Sequence, residues 1–340
     1  MGGGKEGRLA VSRNFYFFYF PIRRGDGLMK ATIDTFAGVA VAKEDMIRNK
    51  FGQYWILSML AGSYIGFGIL LIFSLGAQYA AVQSPAVKLV MGAAFALALL
   101  LVVFAGSELF TGNNMVMLIG CLRGKTGWGW MIWLWFVCWV ANLAGALTLA
   151  FVYSNTGLGD GNITGKFICK VAGAKMNAPF LFLFCRAILC NMLVCLAVWM
   201  SAKAKNEAAR VFLIFWCLFA FIACGFEHCI ANMTIFGSAL FTTHPENVTC
   251  GGFAWNMAAT TSGNIVGGCL VGLAYWYATY APVEDLVPGG PLSRQAVSDG
   301  GLSRSLVDPT QGAVPGGQIV GIDENDNTIV EVLPSSSRQG

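Results

Sequence analysis

The stretch GFEHCIANM, residues 225–233, places a glutamate and a histidine side by side in a strongly apolar part of the chain. Only two of the 340 residues are histidines, and 56% of all residues are hydrophobic. A charged residue at the centre of a membrane span costs about 2.5–3.5 kcal/mol on insertion scales, so ionisable residues there usually mark a functional site. His228 therefore indicates a functional feature, whereas capping of a broken helix is the simpler interpretation of Glu227.

The stretch has a counterpart in the first half of the chain, GSELFTGNN at residues 106–114, offset by 119 residues. At a slightly larger offset, two Asn-x-x-Gly motifs also coincide. The matched pairs are Gly106 with Gly225, Glu108 with Glu227, Asn113 with Asn232, Asn142 with Asn264, and Gly145 with Gly267. Two clusters at matched positions indicate a pair of broken helices. We expect each glutamate to cap exposed amide groups of the half-helix that follows its break.

The composition predicts an all-α membrane protein, because only 12% of the residues are charged and uncharged runs of spanning length recur six times. We expect helices at 53–76, 90–120, 128–153, 179–202, 207–241 and 253–280, the second and fifth broken near the glutamates. Three helices repeated once must have opposite orientations in the bilayer, which makes an inverted 3+3 repeat.

The chain divides into three parts by composition. Residues 1–50 are expected to form a cytoplasmic segment with an interfacial amphipathic helix, and residues 51–283 the transmembrane domain. Residues 284–340 contain no aromatic residue and are expected to be a disordered cytoplasmic tail. Lysines and arginines concentrate on the side of both termini, which the positive-inside rule makes cytoplasmic.

The opposite loops contain the sequons at Asn162 and Asn247, whose glycosylation the sequence leaves open. Cys169 and Cys250 also lie in these loops, so a disulfide between them stays open. The eleven cysteines include no CxxC pair. We therefore expect no metal site, and neither a cofactor nor a nucleic-acid partner is expected.

Within residues 28–280, the motifs ELFTGN, NMLVCLAVWM and GFEHCIANM, together with the two Asn-x-x-Gly motifs, resemble the formate/nitrite transporter family. This resemblance implies a homopentamer of six-helix protomers, each with its own pore and an aquaporin-like arrangement. GSELFTGN is most similar to the apicomplexan members, which are lactate and formate transporters. The resemblance to this family also implies a multi-pass protein of the plasma membrane.

The resemblance also implies roles for single residues. His228 matches the central histidine, Asn191 a polar residue near it, and Lys175 a basic residue of the outer vestibule. Leu109, Phe110 and Thr111 match the loop that closes the pore. Phe95 and Phe221 resemble the aromatic constriction residues, with Leu99 and Val194 beside them in the apolar slits.

The expected function is proton-coupled transport of small monocarboxylates such as lactate and formate. A bare carboxylate loses tens of kcal/mol of hydration in an apolar slit in the Born limit. Protonating it at pH 7 costs only about 4 kcal/mol, since its pKa is near 4. The substrate should therefore cross the constriction as a neutral acid, gathered first by Lys175.

Other functions stay open at this stage. Within the family, the chain could be a nitrite or hydrosulfide channel. An intramembrane enzyme using Glu227 and His228 as acid and base lacks a Ser-His or metal-ligand constellation, so we do not expect an enzyme. A water channel is disfavoured, because NAPF at residue 177 is not the Asn-Pro-Ala signature and occurs once. A scaffold acting through the tail is the remaining class.

Overall fold

A computed structural model describes residues 27–280, and the interpretation of the tail at 284–340 lies outside this range. The described part contains helices and no strands. In chain order the helices are α1 (Gly27–Asn49), α2 (Phe51–Ala81), α3 (Val87–Ala94), α4 (Ala96–Phe104), α5 (Phe110–Leu122), α6 (Trp128–Ser154), α7 (Ile163–Met176), α8 (Phe180–Lys203), α9 (Glu207–Cys224), α10 (Cys229–Leu240) and α11 (Cys250–Tyr280).

Six of these segments are long and apolar enough to cross a membrane, which confirms the predicted number of spans. The spans are α2, α3 with α4, α6, α8, α9 and α11. The short apolar helices α5 and α10 continue the second and fifth spans beyond the breaks. The all-helical, six-span arrangement therefore follows from the lengths of the apolar runs.

Both breaks depend on a glycine in the left-handed backbone region. Gly106 has φ +79° and Gly225 has φ +78°, a conformation that other residues adopt only with strain. Gly225 ends α9, and its amide group donates to carbonyl groups of the last turn of that helix. The matched glycines therefore stop both helices in the same way.

The structure extends the repeat by one helix at the front of each half. The segment 163–176 was expected to be a loop, and this prediction was wrong, because it forms the helix α7. Asn162 caps the N-terminus of this helix, and its side chain accepts hydrogen bonds from the amides of Thr164 and Gly165. α7 occupies the place in the second half that α1 occupies in the first. The sequence does not indicate this helix, because its lysines and glycines interrupt the apolar residues and a short helix with a polar face produces no long apolar run.

Two glycines allow the spans of each half to pack closely. A methyl group on Gly145 of α6 would overlap the backbone carbonyl of Met59 in α2. In the second half, a methyl group on Gly267 of α11 would overlap the carbonyl of Ile188 in α8. Small residues at such crossings let helix backbones approach each other in a membrane, where no hydrophobic effect drives them together.

We predict that Gly145→Ala lowers the stability of the folded protein by about 1–3 kcal/mol, because the added methyl group forces α2 and α6 apart. Thermal unfolding in detergent measures this change. Gly129→Ala in the same helix is the control, since nothing lies within 4 Å of its new methyl group. An equal melting temperature for both variants would contradict the packing role of Gly145.

The disulfide that the sequence left open is not formed. Cys169 and Cys250 are both free thiols, Cys169 buried and Cys250 exposed. The Cys169 thiol donates a weak hydrogen bond to the carbonyl of Thr243 instead, at 3.8 Å. The loop that follows α10 is therefore held here by a hydrogen bond.

Candidate functional site

The first break is fastened to its neighbours by one buried asparagine. Asn142 on α6 accepts a hydrogen bond at its Oδ1 from the amide of Phe110, at 3.0 Å. Its Nδ2 donates to the carbonyls of Ser58, at 2.6 Å, and Glu108, at 2.9 Å. One side chain thus satisfies a free amide at the start of α5 and a free carbonyl in the break, as irregular backbone at membrane depth requires.

The second break repeats this arrangement with Asn264 on α11. Its Oδ1 accepts from the amide of Cys229 at 2.9 Å, and its Nδ2 donates to the carbonyls of Ala187, at 2.7 Å, and Glu227, at 3.0 Å. The two asparagines of the Asn-x-x-Gly motifs therefore perform the capping that the sequence analysis assigned to the glutamates.

The glutamates do not cap the half-helices, and that prediction was wrong. The carboxylate of Glu108 pairs with the ammonium group of Lys43 from α1 and accepts from Nδ2 of Asn113 at 3.0 Å. Both glutamates are buried, so a cation within reach is needed to hold their charge. The first amide of each half-helix, that of Phe110 and that of Cys229, instead donates to an asparagine.

The same contacts recur in the second half. Lys175 from α7 pairs with the carboxylate of Glu227 at 2.7 Å, and Asn232 donates to that carboxylate at 2.8 Å. The predicted vestibule residue Lys175 therefore carries a charge that a neighbouring carboxylate offsets. Lys43 is its counterpart in the first half.

His228 makes two hydrogen bonds that determine its tautomer. Its Nδ1 accepts from the amide of Ala231 at 3.1 Å and so caps α10, while its Nε2 lies 3.1 Å from Oγ1 of Thr111. An accepting Nδ1 carries no proton, so the neutral ring has its proton on Nε2 and donates to Thr111. A second proton would break the cap and place a positive charge at a helix N-terminus, which the helix dipole disfavours.

The repeat places Leu109 where the second half has His228. Leu109 directly precedes α5 and its side chain does not cap that helix, whereas the side chain of His228 caps α10. The imidazole is therefore the one polar side chain that the two break positions direct toward the centre of the molecule.

A small cavity lies between the two halves at the level of the breaks. Its lining comprises Ile65, Phe95, Leu99, Leu109, Val194, Leu218, Phe221 and His228. The centre of a water molecule has about 10 Å³ to occupy, which is roughly the minimum that holds one water. A passing molecule would therefore meet apolar walls with one polar group, the imidazole.

Two aromatic rings close one side of this cavity. Phe95 and Phe221 pack edge to face with their ring centres 5.4 Å apart, and each is 1% exposed. Phe221 in turn lies with its ring centre 6.1 Å from that of His228. Rotation of these rings would be needed to admit a solute, because their present packing leaves no open path.

A vestibule of about 490 Å³ opens on the side of Lys43 and Glu108. Leu109 lines both this vestibule and the central cavity, so its side chain separates them. The other lining residues are Phe36, Val39, Leu57, Val102, Val103, Gly106, Ser107, Gly112, Asn113, Val116 and Val198. The vestibule is mostly apolar, with one ion pair at its wall.

The structure brings together most of the residues that the resemblance singled out. Phe110 is an exception: it is buried and does not line the cavity, although its amide anchors α5. Asn191 forms no hydrogen bond with His228; it donates to the carbonyls of Thr111, at 3.1 Å, and Asn264, at 2.6 Å. It thereby positions the threonine that the imidazole contacts.

Three residues of this site were missed by the sequence analysis. Ile65 and Leu218 line the central cavity, and their aliphatic side chains look like any other apolar residue of a span. Lys43 was missed because it lies 132 residues before Lys175, whereas the motifs at the two breaks are related by an offset of 119 residues. The described residues contain no cluster of three or more metal-ligating side chains.

Comparisons with known proteins agree with this architecture. The sequence pattern described as "Formate/nitrite transporter" matches residues 31–277. The nitrite transporter NirC of Escherichia coli is 44% identical over 228 residues, which cover 66% of this chain and 83% of NirC. Formate-nitrite transporter 3 of Toxoplasma gondii is 32% identical over 262 residues, 73% of this chain and 52% of that protein.

Solved structures show the same fold. An "FNT family ion channel" is 40% identical with a TM-score of 0.70, covering 74% of this chain and all of that one. A "pentameric formate channel with formate bound" is 31% identical with a TM-score of 0.58, covering 66% of this chain and 95% of that one. With a pattern match over most of its length and these relatives, the chain belongs to the formate/nitrite transporter family of membrane proteins.

Proposed function

We propose that this protein conducts small monovalent anions of weak acids, with nitrite and formate as the expected substrates. The observation that carries the proposal is the central cavity, where apolar side chains surround a single neutral imidazole. Such a site offers a small oxyanion or its acid a hydrogen bond from Nε2–H, in exchange for the bond to Thr111, but no fixed positive charge to trap it.

The energetics favour passage as the neutral acid. A bare anion between Phe95, Phe221 and Leu109 would lose its hydration without a compensating charge, at a cost of several kcal/mol or more. Neutralising a carboxylate at pH 7 costs about 4 kcal/mol, since its pKa in water is near 4. Each substrate anion therefore takes up a proton before the constriction, and net transport couples one anion to one proton.

The size of the cavity and the relatives favour nitrite and formate over lactate. The cavity holds roughly one water molecule, and nitrite and formate are closer to that size than lactate. The 44% identical relative is named a nitrite transporter, and a solved relative contains formate. The nitrite alternative therefore has more support than the expected lactate transport.

We further propose a homopentamer in the plasma membrane with the Lys43 side in the cytoplasm. A pentameric relative supports the assembly, and large apolar side chains such as Phe136, Phe151 and Phe212 are exposed for neighbouring protomers or lipid. Arg48, Lys50, Arg123 and Lys203 lie near the ends of helices on the Lys43 side, which supports the orientation through the positive-inside rule.

Flux measurements in proteoliposomes test this function. We expect nitrite and formate to enter along their gradients, each with acidification of the vesicle interior, and lactate to enter more slowly. A decrease of external pH by one unit should increase the initial rate about tenfold at fixed total anion, since the neutral acid increases tenfold.

Vesicles without protein control for passive permeation of the neutral acids. Anion flux that generates a current, without interior acidification, would contradict passage as the neutral acid. Rapid lactate flux would favour the lactate transport expected from the sequence over transport of nitrite and formate. Water flux alone would exclude all of these substrates.

A further inference from the structure

Arg186 is a charged residue within a membrane span that the site described above does not use. It lies in the second turn of α8, its side chain is exposed, and its carbonyl accepts from the amide of Glu227 at 3.3 Å. Among residues 27–280, no carboxylate forms a salt bridge with its guanidinium group. Charged residues within spans are costly and usually face a polar cavity, so a role in the pore is the first expectation.

The internal repeat shows where this residue lies relative to the pore. The amide of Glu108 donates to the carbonyl of Leu57, as the amide of Glu227 donates to that of Arg186. Leu57 and Arg186 are thus equivalent positions, 129 residues apart in α2 and α8. Leu57 lines the vestibule on the Lys43 side.

A second pair of positions supports the equivalence. Ile65 and Val194 are also 129 residues apart, and both line the central cavity. Each follows its vestibule position by eight residues, a rotation of about 80° around the helix. α8 therefore presents Arg186 to the pore at the angle at which α2 presents Leu57.

From these equivalences we infer that Arg186 lines the vestibule on the Lys175 side and attracts substrate anions to that mouth of the pore. This inference rests on the proposed anion transport. At the Lys43 mouth the charges of Lys43 and Glu108 cancel. At the Lys175 mouth the charges of Lys175 and Glu227 cancel likewise, so Arg186 adds one net positive charge there.

The consequence is a pore with unequal mouths in an otherwise repeated architecture. A positive charge raises the local concentration of anions and their rate of arrival, and this effect weakens with ionic strength. The guanidinium group acts before the constriction, where the substrate is still an anion. It therefore changes the apparent KM for entry from the Lys175 side and leaves the maximal rate nearly unchanged.

Labelled formate uptake into right-side-out and inside-out membrane vesicles tests this inference with Arg186→Leu, which installs the residue of the equivalent position. We expect the KM to rise roughly three- to tenfold at about 10 mM ionic strength, in one vesicle orientation only. The difference from the wild-type protein should decrease at about 150 mM, where the Debye length is about 8 Å. Arg186→Lys should restore most of the wild-type KM, because it keeps the charge.

Two controls separate charge at the mouth from other effects. Lys205→Gln removes an exposed positive charge between α8 and α9 and should leave both KM values unchanged. Leu57→Arg should lower the KM from the Lys43 side. Size-exclusion chromatography with light scattering reports the assembly of each variant.

An unchanged KM for Arg186→Leu, with active wild-type protein, would overturn this inference alone. A lower maximal rate from both sides together with loss of the assembly would overturn it too, since the arginine would then have a structural role. Absence of nitrite and formate flux in the wild-type protein would overturn the proposed function and this inference with it.

Discussion

Substitution of His228 by phenylalanine is expected to reduce formate and nitrite flux by about 100-fold or more, the usual loss when a positioned proton donor is removed. Phenylalanine has a similar ring but neither the Nε2 donor at Thr111 nor the Nδ1 acceptor for Ala231. The apolar cavity then has no polar group for the substrate. Initial rates in proteoliposomes measure the loss, and chromatography shows whether the assembly persists.

His228→Asn separates the pore role of the imidazole from its capping role. The Oδ1 of asparagine can accept from the amide of Ala231 and cap α10, but the shorter side chain does not reach Thr111. We expect a melting temperature near that of the wild-type protein and flux as low as in His228→Phe. His244→Phe is the matched control, since His244 is exposed in a loop and should tolerate the change. Wild-type flux in a well-folded His228→Phe protein would refute the role of this histidine.

Removal of the Glu227 carboxylate is expected to destabilise the fold by about 3–5 kcal/mol, because Glu227→Leu leaves the ammonium group of Lys175 without its partner. The two side chains are only 3% and 20% exposed, so water compensates little. Asn232 loses one acceptor but keeps Oδ1 of Asn256 at 2.9 Å. Thermal unfolding in detergent measures the change.

The double variant Lys175→Met with Glu227→Leu tests whether the pair acts as a unit. Removing both charges leaves no buried ion without a partner, so we expect it to recover most of the stability lost in either single variant. Glu246→Leu controls for loss of an exposed carboxylate and should change stability by no more than about 0.5 kcal/mol. Additive losses in the double variant would show that the two charges are not coupled.

The spans, the breaks and the repeat could be predicted because each depends on residues close together in the chain. A run such as α9 is long enough and apolar enough to span by itself, and Gly225 stops it through its own backbone freedom. α7 was missed for the same reason, since its 14 residues include three lysines at positions 166, 170 and 175 and form no long apolar run. α7 packs against α2, α10 and α11, which are distant in sequence or follow it in the chain.

The site was predicted only in part, because its geometry joins segments far apart in sequence. The family resemblance identified His228, but the bond to Thr111 crosses 117 residues of chain, and that bond with the cap at Ala231 determines the tautomer. The positions of Ile65 and Leu218 in the cavity, and of Phe110 outside it, depend on how the two halves face each other.

The amino-acid sequence alone determined that six helices cross the membrane, that two of them break at matched glycines, and that the halves are inverted repeats. Membrane insertion and helix termination are local events, so the order of residue types is sufficient for them. Only the tertiary structure decided that asparagines rather than glutamates fasten the breaks, and that Lys43 and Lys175 hold the glutamates. A buried polar group bonds to whichever partner packing brings within about 3 Å, and that distance is a property of the folded molecule.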